Sequence, residues 1–348
     1  MGDYKIKYEI LDDLFYSEDD DDFDEYNKFA LNDYKNSRAF HIDLSCMINY
    51  LINFMKSQED IEYISARDLG ITITSAVINT IAHYRAYFAK REIYNINIFL
   101  YYTEIDINNK LLRKALDHAK TQLDIILKYI PKAYFIYNID DIDSNVAIYH
   151  FIQLHDYNLI MTKNKLLYQY ISDSNSSSTS ILRPNRDDSY IVNSYNWVEK
   201  FAGIDNKRTM PVKSIPLIYS IQGDKEHPGV KRYGAKKSFK RVFNDYIDGY
   251  LNSDMDYVST NDIISDMGID DKDEIKCIKN NYPIFDLILR YRKLRDVDKV
   301  KLNNLIVDNF SNKDLRALNQ KYFTGLESLM LQELLMGVTT HKPKKILW

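Results

Sequence analysis

Between residues 39 and 172 the chain repeats one pattern, a short apolar run followed by a longer stretch with apolar residues at helical spacing. The short runs are Ala39–Asp43, Ile96–Tyr102, Ala133–Tyr137 and Leu159–Thr162. Between them, Met47, Leu51, Phe54 and Met55 predict an amphipathic helix, and Ile71–Phe88 predicts a long one. Lys110–Ile130 carries Leu111, Leu112, Leu116, Leu123, Ile126 and Leu127 on one side, Val146–Leu154 reads as helical, and Leu166–Ile171 begins a further helix. Short apolar strands separated by helices pair in parallel and are covered on both faces, so the pattern predicts an α/β fold with a parallel sheet flanked by helices. In such sheets chemistry gathers at the carboxyl ends of strands. Asp43, Tyr102, the acids near residue 140 and Asn164 fall there.

The flanks differ from this core. Residues 1–37 form an extension with an acidic run at Glu18–Asp22, continued by Asp24 and Glu25, of the kind that stays solvated. Asp173–Tyr190 (DSNSSSTSILRPNRDDSY) is low in complexity and reads as a surface loop, so 38–172 is taken as the core and 173–210 as a linker. Residues 211–340 read as a helical region, with helices expected at Pro211–Gln222, Ala235–Leu251, Asp262–Met267, Tyr282–Arg292 and Asp314–Leu335. A basic and apolar tail, residues 341–348, follows.

Within the helical region, residues 217–241 (LIYSIQGDKEHPGVKRYGAKKSFKR) combine an apolar helix, a turn through Gly223, Asp224, Pro228, Gly229 and Gly234, and a second helix crowded with cations. From residue 225 onward, Lys225, Lys231, Arg232, Lys236, Lys237, Lys240 and Arg241 face one acid, Glu226. Glycines let main-chain N–H groups approach phosphate oxygens, which suits a nucleic-acid backbone; an ordinary helical hairpin with a solvated charged face is the competing reading. The formal charge of −4 and pI near 6.0 exclude a general polycation, so any nucleic-acid contact is a local patch. Two cysteines, Cys46 and Cys277, provide neither a disulfide framework nor a metal cluster. No signal peptide and no apolar run of roughly 18–20 residues is present, so the expectation is a soluble protein of the cytoplasm, without membrane contact. Heavy use of Ile, Asn, Lys and Tyr suits an AT-rich source, a bacteriophage or a low-GC bacterium, and the cytoplasm would be the host's in the phage case.

The order GD, PGV, G-A-K-K in residues 223–237 resembles the helix–three-turn–helix of the PIN-like 5′-nuclease (flap endonuclease) superfamily. The order of segments over roughly residues 39–250 is most similar to the phage 5′→3′ exonuclease and T4-type RNase H branch. The resemblance implies a two-metal phosphodiesterase whose acids end several strands. Asp43 matches the first landmark, and Asp143 stands for the Glu of an E-A-[DN]-D motif. Asp224 matches the Asp of the GD motif. Elsewhere the carboxylates have gone. Tyr102 takes the place of the second strand's acid, with Glu104 and Asp106 just beyond it; Val146, or Asn145 in a register one residue away, takes that of the closing Asp. Thr162-Lys-Asn-Lys-Leu-Leu-Tyr-Gln169 keeps the Thr and Gln of T-G-D-x-D-x-x-Q but has Asn164 and Leu166 at its acids, with Lys163 and Lys165 beside the gap. The long arch of active relatives has no room in Thr103–Lys132, where Lys110, Arg113, Lys114 and Lys120 are the cations available to touch a strand. The histidines show no metal-ligand spacing, and His150 reads as a core residue.

These readings define the expectations. Asp43, Asp143 and Asp224 are the residual catalytic and metal-binding set, with Asp140, Asp141 or Glu104 as further donors, for Mg²⁺ or Mn²⁺ if the protein is active and for no cofactor otherwise. Gly223, Gly229, Lys231, Arg232, Gly234, Lys236, Lys237, Lys240 and Arg241 are the nucleic-acid-binding set for double-stranded or branched nucleic acid. Tyr233 is the tyrosine singled out for base stacking. The leading reading is a phage-encoded, catalytically weak or inactive nucleic-acid-binding protein. The alternatives are an active 5′→3′ exonuclease, flap endonuclease or RNase H, and a non-catalytic subunit of a replication, transcription or virion assembly docked through Lys344–Trp348.

Overall fold

A computed structural model describes residues 37–46, 48, 65–89, 96–102, 110–130, 132–137, 139, 142–174, 177–184, 190–203, 210–231, 233–247 and 260–306. The acidic extension, most of the helix expected around Met47–Met55, the helix expected at Asp314–Leu335 and the tail lie outside these residues.

Strand β1 (Arg38–Asp43) lies at the middle of the sheet. It pairs in parallel with β2 (Ile96–Tyr101) on one side and β4 (Tyr157–Met161) on the other. Strand β3 (Ala133–Ile136) continues the parallel sheet beyond β2. Strand β6 (Ser177–Arg183) continues it beyond β4, also in parallel. The far side of β6 is shared by two short antiparallel strands, β5 (Ser172–Ser174) and β7 (Tyr190–Val192).

This corrects the reading of Asp173–Tyr190 as a loop. Thr179, Ser180, Ile181 and Leu182 are buried, because β6 is covered on both faces. Its serines and threonine made it resemble a polar linker, but backbone pairing to β4 and the burial of Ile181 and Leu182 hold it in the sheet. The α/β core therefore runs on to at least Val192.

Strand side chains alternate between faces. Phe40, Ile42, Ile98 and Leu100 face the packed pair α1 (Ala66–Ala89) and α2 (Lys110–Ile126). Gly70 lets these two helices approach, since a Cβ there would lie 2.7 Å from the His118 Cβ and 2.9 Å from the Ala115 carbonyl oxygen. On the other face Ala39, Phe99, Tyr101, Ile160 and Ile181 join a second core containing α3 (Ser144–Ile152). That core extends through α4 (Trp197–Ala202), α5 (Ile215–Gln222) and α6 (Ala235–Ile247). It continues into α7 (Thr260–Asp266), α8 (Lys272–Phe285), α9 (Leu287–Arg292) and α10 (Asp296–Asn303). The helices expected at Asp262–Met267 and Tyr282–Arg292 are thus present with shifted bounds. Asp286 splits the second by accepting from Leu289 N at 2.8 Å as the cap of α9.

Among the described residues no helix is long and apolar enough to cross a membrane. His150 is a core residue as expected, 4 % exposed, with Nε2 donating to Asn303 Oδ1 at 2.9 Å and Nδ1 lying 3.1 Å from the Tyr291 hydroxyl.

Candidate functional site

The carboxyl ends of β1 and β4 and the start of α3 meet in one polar network. Asp43, the last residue of β1, is 4 % exposed. Its Oδ1 accepts from Ser45 N at 3.0 Å and from Ser45 Oγ at 2.5 Å, and its Oδ2 accepts from Thr162 Oγ1 at 2.7 Å. Thr162 Oγ1 in turn accepts from Asn164 N at 3.0 Å. Asn164 Oδ1 caps the short 3-10 helix Lys165–Tyr170 by accepting from Leu166 N, and its Nδ2 lies 3.4 Å from Asn145 Oδ1. Asp143 is the N-cap of α3, with Oδ1 accepting from Asn145 N at 2.8 Å and from Asn145 Nδ2 at 3.0 Å. Its Oδ2 accepts from the Arg290 guanidinium of α9 at 2.7 Å.

The structure places the residues of two of these landmarks. Tyr101, not Tyr102, stands opposite Asp43 in the β1–β2 ladder. Tyr102 packs on the α1–α2 side, under the Lys120 ammonium at 4.4 Å from its ring. At the third landmark Val146 is buried in the core, and Asn145 is the residue that meets Asn164. The helical period places only one of two adjacent side chains on the sheet-end side, and the core takes the apolar one.

A two-metal centre needs several anionic oxygens converging on hard cations. The described donors do not fit it. Both oxygens of Asp43 accept from hydroxyl or amide donors, Asp143 carries a guanidinium, and the neighbouring positions offer amides, a buried tyrosine and apolar groups. Among the described residues no group of three or more His, Cys, Asp or Glu side chains comes together to hold a metal, so Asp224 does not complete a set with Asp43 and Asp143. Glu104, Asp106, Asp140 and Asp141 lie outside the described residues.

Asp224 instead builds the turn after α5. Its Oδ1 accepts from Glu226 N at 2.8 Å and His227 N at 2.6 Å, and His227 Nδ1 lies 3.1 Å away. Burial pushes its carboxyl up, but the two backbone N–H groups and the His227 side chain outweigh this and hold the pKa below the ordinary value. Gly223 sits at φ +71°, and a Cβ on Gly229 would lie 2.2 Å from the Gln222 carbonyl, so both glycines are required by the close pass of the chain. Asn281 of α8 ties this turn down by donating to the Ser220 and Pro228 carbonyls at 3.1 Å each.

The cations around the turn divide into two groups. Lys225, Lys231, Lys236 and Lys240 are exposed, and no carboxylate among the described residues pairs with them. Lys237 lies 4.0 Å above the Tyr233 ring. Arg241 is already engaged, by Asp245 on its own helix and by Glu274 of α8 at 3.5 Å. Arg232 lies outside the described residues. Tyr233 is half-buried; burial first, then a hydrogen bond to Glu274, raises its pKa, so its hydroxyl serves the α6–α8 contact.

Two residues organise this region through contacts that the sequence does not show. Gln169 is 3 % exposed and links the 3-10 helix to the α8–α9 junction, donating to the Phe285 carbonyl at 3.2 Å and accepting from Leu287 N at 3.0 Å. The sequence shows it as a retained motif residue, but nothing there pairs it with residue 287. Arg290 carries no local signal in the sequence, because its partner Asp143 is 147 residues away.

The strand order and helix placement define an α/β protein with a mainly parallel sheet and a helical C-terminal region. Among solved structures, the chain is similar to a flap endonuclease of bacteriophage T5 in a pseudo-enzyme–product complex with DNA and metal ions, at 11 % identity over 78 % of this chain and 99 % of that one, with a TM-score of 0.49. It is also similar to the T5 5′-exonuclease with bound zinc, at 13 % identity over 86 % of this chain and 100 % of that one, with a TM-score of 0.43. No family model and no curated protein matches the chain.

Proposed function

We propose that this chain is a nucleic-acid-binding protein of the 5′-nuclease type, phage-encoded, that holds duplex backbone through Gly223–Arg241 and cleaves it weakly or not at all. The observation that carries the second half is the guanidinium of Arg290 on Asp143, at a site where Asp43 keeps its carboxylate while the neighbouring positions hold Asn145, Asn164 and Tyr101. A fixed organic cation there neutralises the carboxylate that a metal would need.

The grip is supported by the turn itself. Two glycines that cannot carry a side chain let the turn close on its own backbone, Asp224 and Asn281 hold its shape, and Lys225, Lys231, Lys236, Lys237 and Lys240 are the exposed cations that accompany it. Arg241 belongs to the scaffold of this surface through Asp245 and Glu274.

Binding of a labelled duplex by the full chain, followed by fluorescence anisotropy across a salt series, tests the grip. Affinity should fall steeply with salt, and the combined Lys236→Ala, Lys237→Ala and Lys240→Ala variant should flatten the log–log slope by about 3, since each neutralised phosphate contributes about 0.9. A duplex affinity that these substitutions leave unchanged would remove the backbone grip.

A further inference from the structure

Three cations outside the turn stand at the carboxyl edge of the sheet. Lys163 and Lys165 follow β4, and Arg183 is the last residue of the parallel neighbour β6. Arg183 Nη1 donates to the Lys163 carbonyl at 3.0 Å and lies 3.3 Å from the Tyr168 hydroxyl. Lys165 Nζ donates to the Phe201 carbonyl at 2.5 Å and lies 5.2 Å from the centre of the Phe201 ring. Among the described residues no carboxylate pairs with any of the three.

That is an unusual state for cations held this close together. Burial, and then the charge of Arg183, lowers the pKa of Lys165, so the two side chains repel each other at a half-buried position. Arg241, Arg290 and Arg295 each have acids beside them. Here the fold holds like charges together and leaves hydrogen-bond donors over: Lys165 uses one of three ammonium hydrogens on Phe201, and Arg183 uses one nitrogen on Lys163 and Tyr168. The complementary partner, which no described residue supplies, would be an anion.

We infer that Lys163, Lys165 and Arg183 form a metal-free phosphodiester subsite at the carboxyl edge of β4 and β6, which holds the nucleic-acid backbone where a nuclease would hold the scissile phosphate with metal ions. Its neighbourhood places it beside the turn. Phe201, whose carbonyl holds Lys165, has its ring 6.1 Å from that of Tyr219 in α5, so the end of α5 and its turn border the same edge. One backbone can therefore run from the Gly223–Gly229 turn to the sheet edge. The inference rests on the nucleic-acid reading above and adds a second, separable contact to it.

The test is anisotropy of a labelled duplex with a single-stranded extension, with the full chain in EDTA over a KCl series. Removing two phosphate contacts should lower the slope of log affinity against log salt by about 2. Lys165→Met with Arg183→Gln should do so and weaken binding roughly tenfold or more, a loss expected for charged hydrogen bonds. Because Lys165 also supports Phe201, Lys163→Ala with Arg183→Gln serves as the second variant and should lower the slope by a similar amount with an unchanged melting temperature. Wild-type binding that is steep in salt but identical in both variants overturns the subsite and leaves the turn as the whole grip. Lost affinity confined to the Lys165 variant, with a lowered melting temperature, overturns it too. A wild-type chain with no duplex affinity overturns the subsite together with the reading on which it rests.

Discussion

Arg290 Nη1 lies 2.7 Å from Asp143 Oδ2, and this contact closes a path of hydrogen bonds from the end of β1 to α9. The same carboxylate caps α3 through its other oxygen. One residue therefore performs two structural tasks at a position where the superfamily resemblance implies a metal ligand.

Separating those tasks gives a stability prediction. Arg290→Gln should cost about 1 kcal/mol, since the pair is a third exposed on one side and a quarter on the other. Asp143→Asn should cost a similar amount because an amide oxygen still caps, whereas Asp143→Ala should cost about 1 kcal/mol more through the lost cap. Urea unfolding of the two single variants and the Asp143→Asn, Arg290→Gln double variant should show non-additivity; additive losses would mean that the contact is not energetically coupled.

The turn glycines should separate sharply. Gly229→Ala puts a methyl 2.2 Å from a backbone carbonyl, and Gly223→Ala strains a residue at φ +71°, so each should destabilise by about 1–3 kcal/mol and weaken duplex binding with it. A Cβ at Gly234 meets nothing within 4 Å, so Gly234→Ala should leave the melting temperature unchanged or raised. A large loss at Gly234 would show that this glycine is needed for conformation.

Two neighbouring cations on α6 should behave in opposite ways. Arg241→Ala breaks the pairs with Asp245 and Glu274, both nearly buried, and should lower the melting temperature while changing the salt slope of duplex binding little. Lys240→Ala should lower that slope by about 1 with no effect on melting. The reverse pattern would place Arg241 in the phosphate contact.

Acid should destabilise the sheet through its buried imidazoles. His41 is fully buried, with Nε2 donating to Asn158 Oδ1 at 2.9 Å and Nδ1 facing the Tyr101 hydroxyl at 2.8 Å, an arrangement that suits the neutral ring. Burial lowers its pKa to about 3, and burial lowers those of His150 and His155 as well. With folded values below unfolded ones, this stability is complete above about pH 6.5 and is lost as the pH falls towards 3. For His41 alone the loss between pH 7 and pH 5 is about 2 kcal/mol. Urea midpoints measured at the two pH values check it; equal stability would mean that these rings take up protons in the fold.

Much of the core was legible because short apolar strands and long amphipathic helices differ in period. Ala39–Asp43, Ile96–Tyr102, Ala133–Tyr137 and Leu159–Thr162 needed only shifts of a residue or two at their ends. Strand β6 was hidden because its first half is serine and threonine, and backbone pairing with β4 leaves no trace in local composition. At the site, Asp43 and Asp143 were readable as strand-end and helix-cap acids. Their partners were not, because Thr162, Arg290 and Gln169 reach them, or support them, through contacts between distant segments. The register choices at Tyr101 and Asn145 turn on which of two adjacent side chains the core takes, and only packing decides that.

The most direct measurement of the central claim is cleavage of labelled flap, nicked-duplex and RNA–DNA substrates in Mg²⁺ and in Mn²⁺, with Asp43→Asn alongside. The account predicts little or no cleavage by the native chain, no difference from Asp43→Asn, and duplex binding that weakens steeply with salt. Metal-dependent cleavage that disappears in Asp43→Asn would contradict it, and would show that Asp43 still serves a working metal centre.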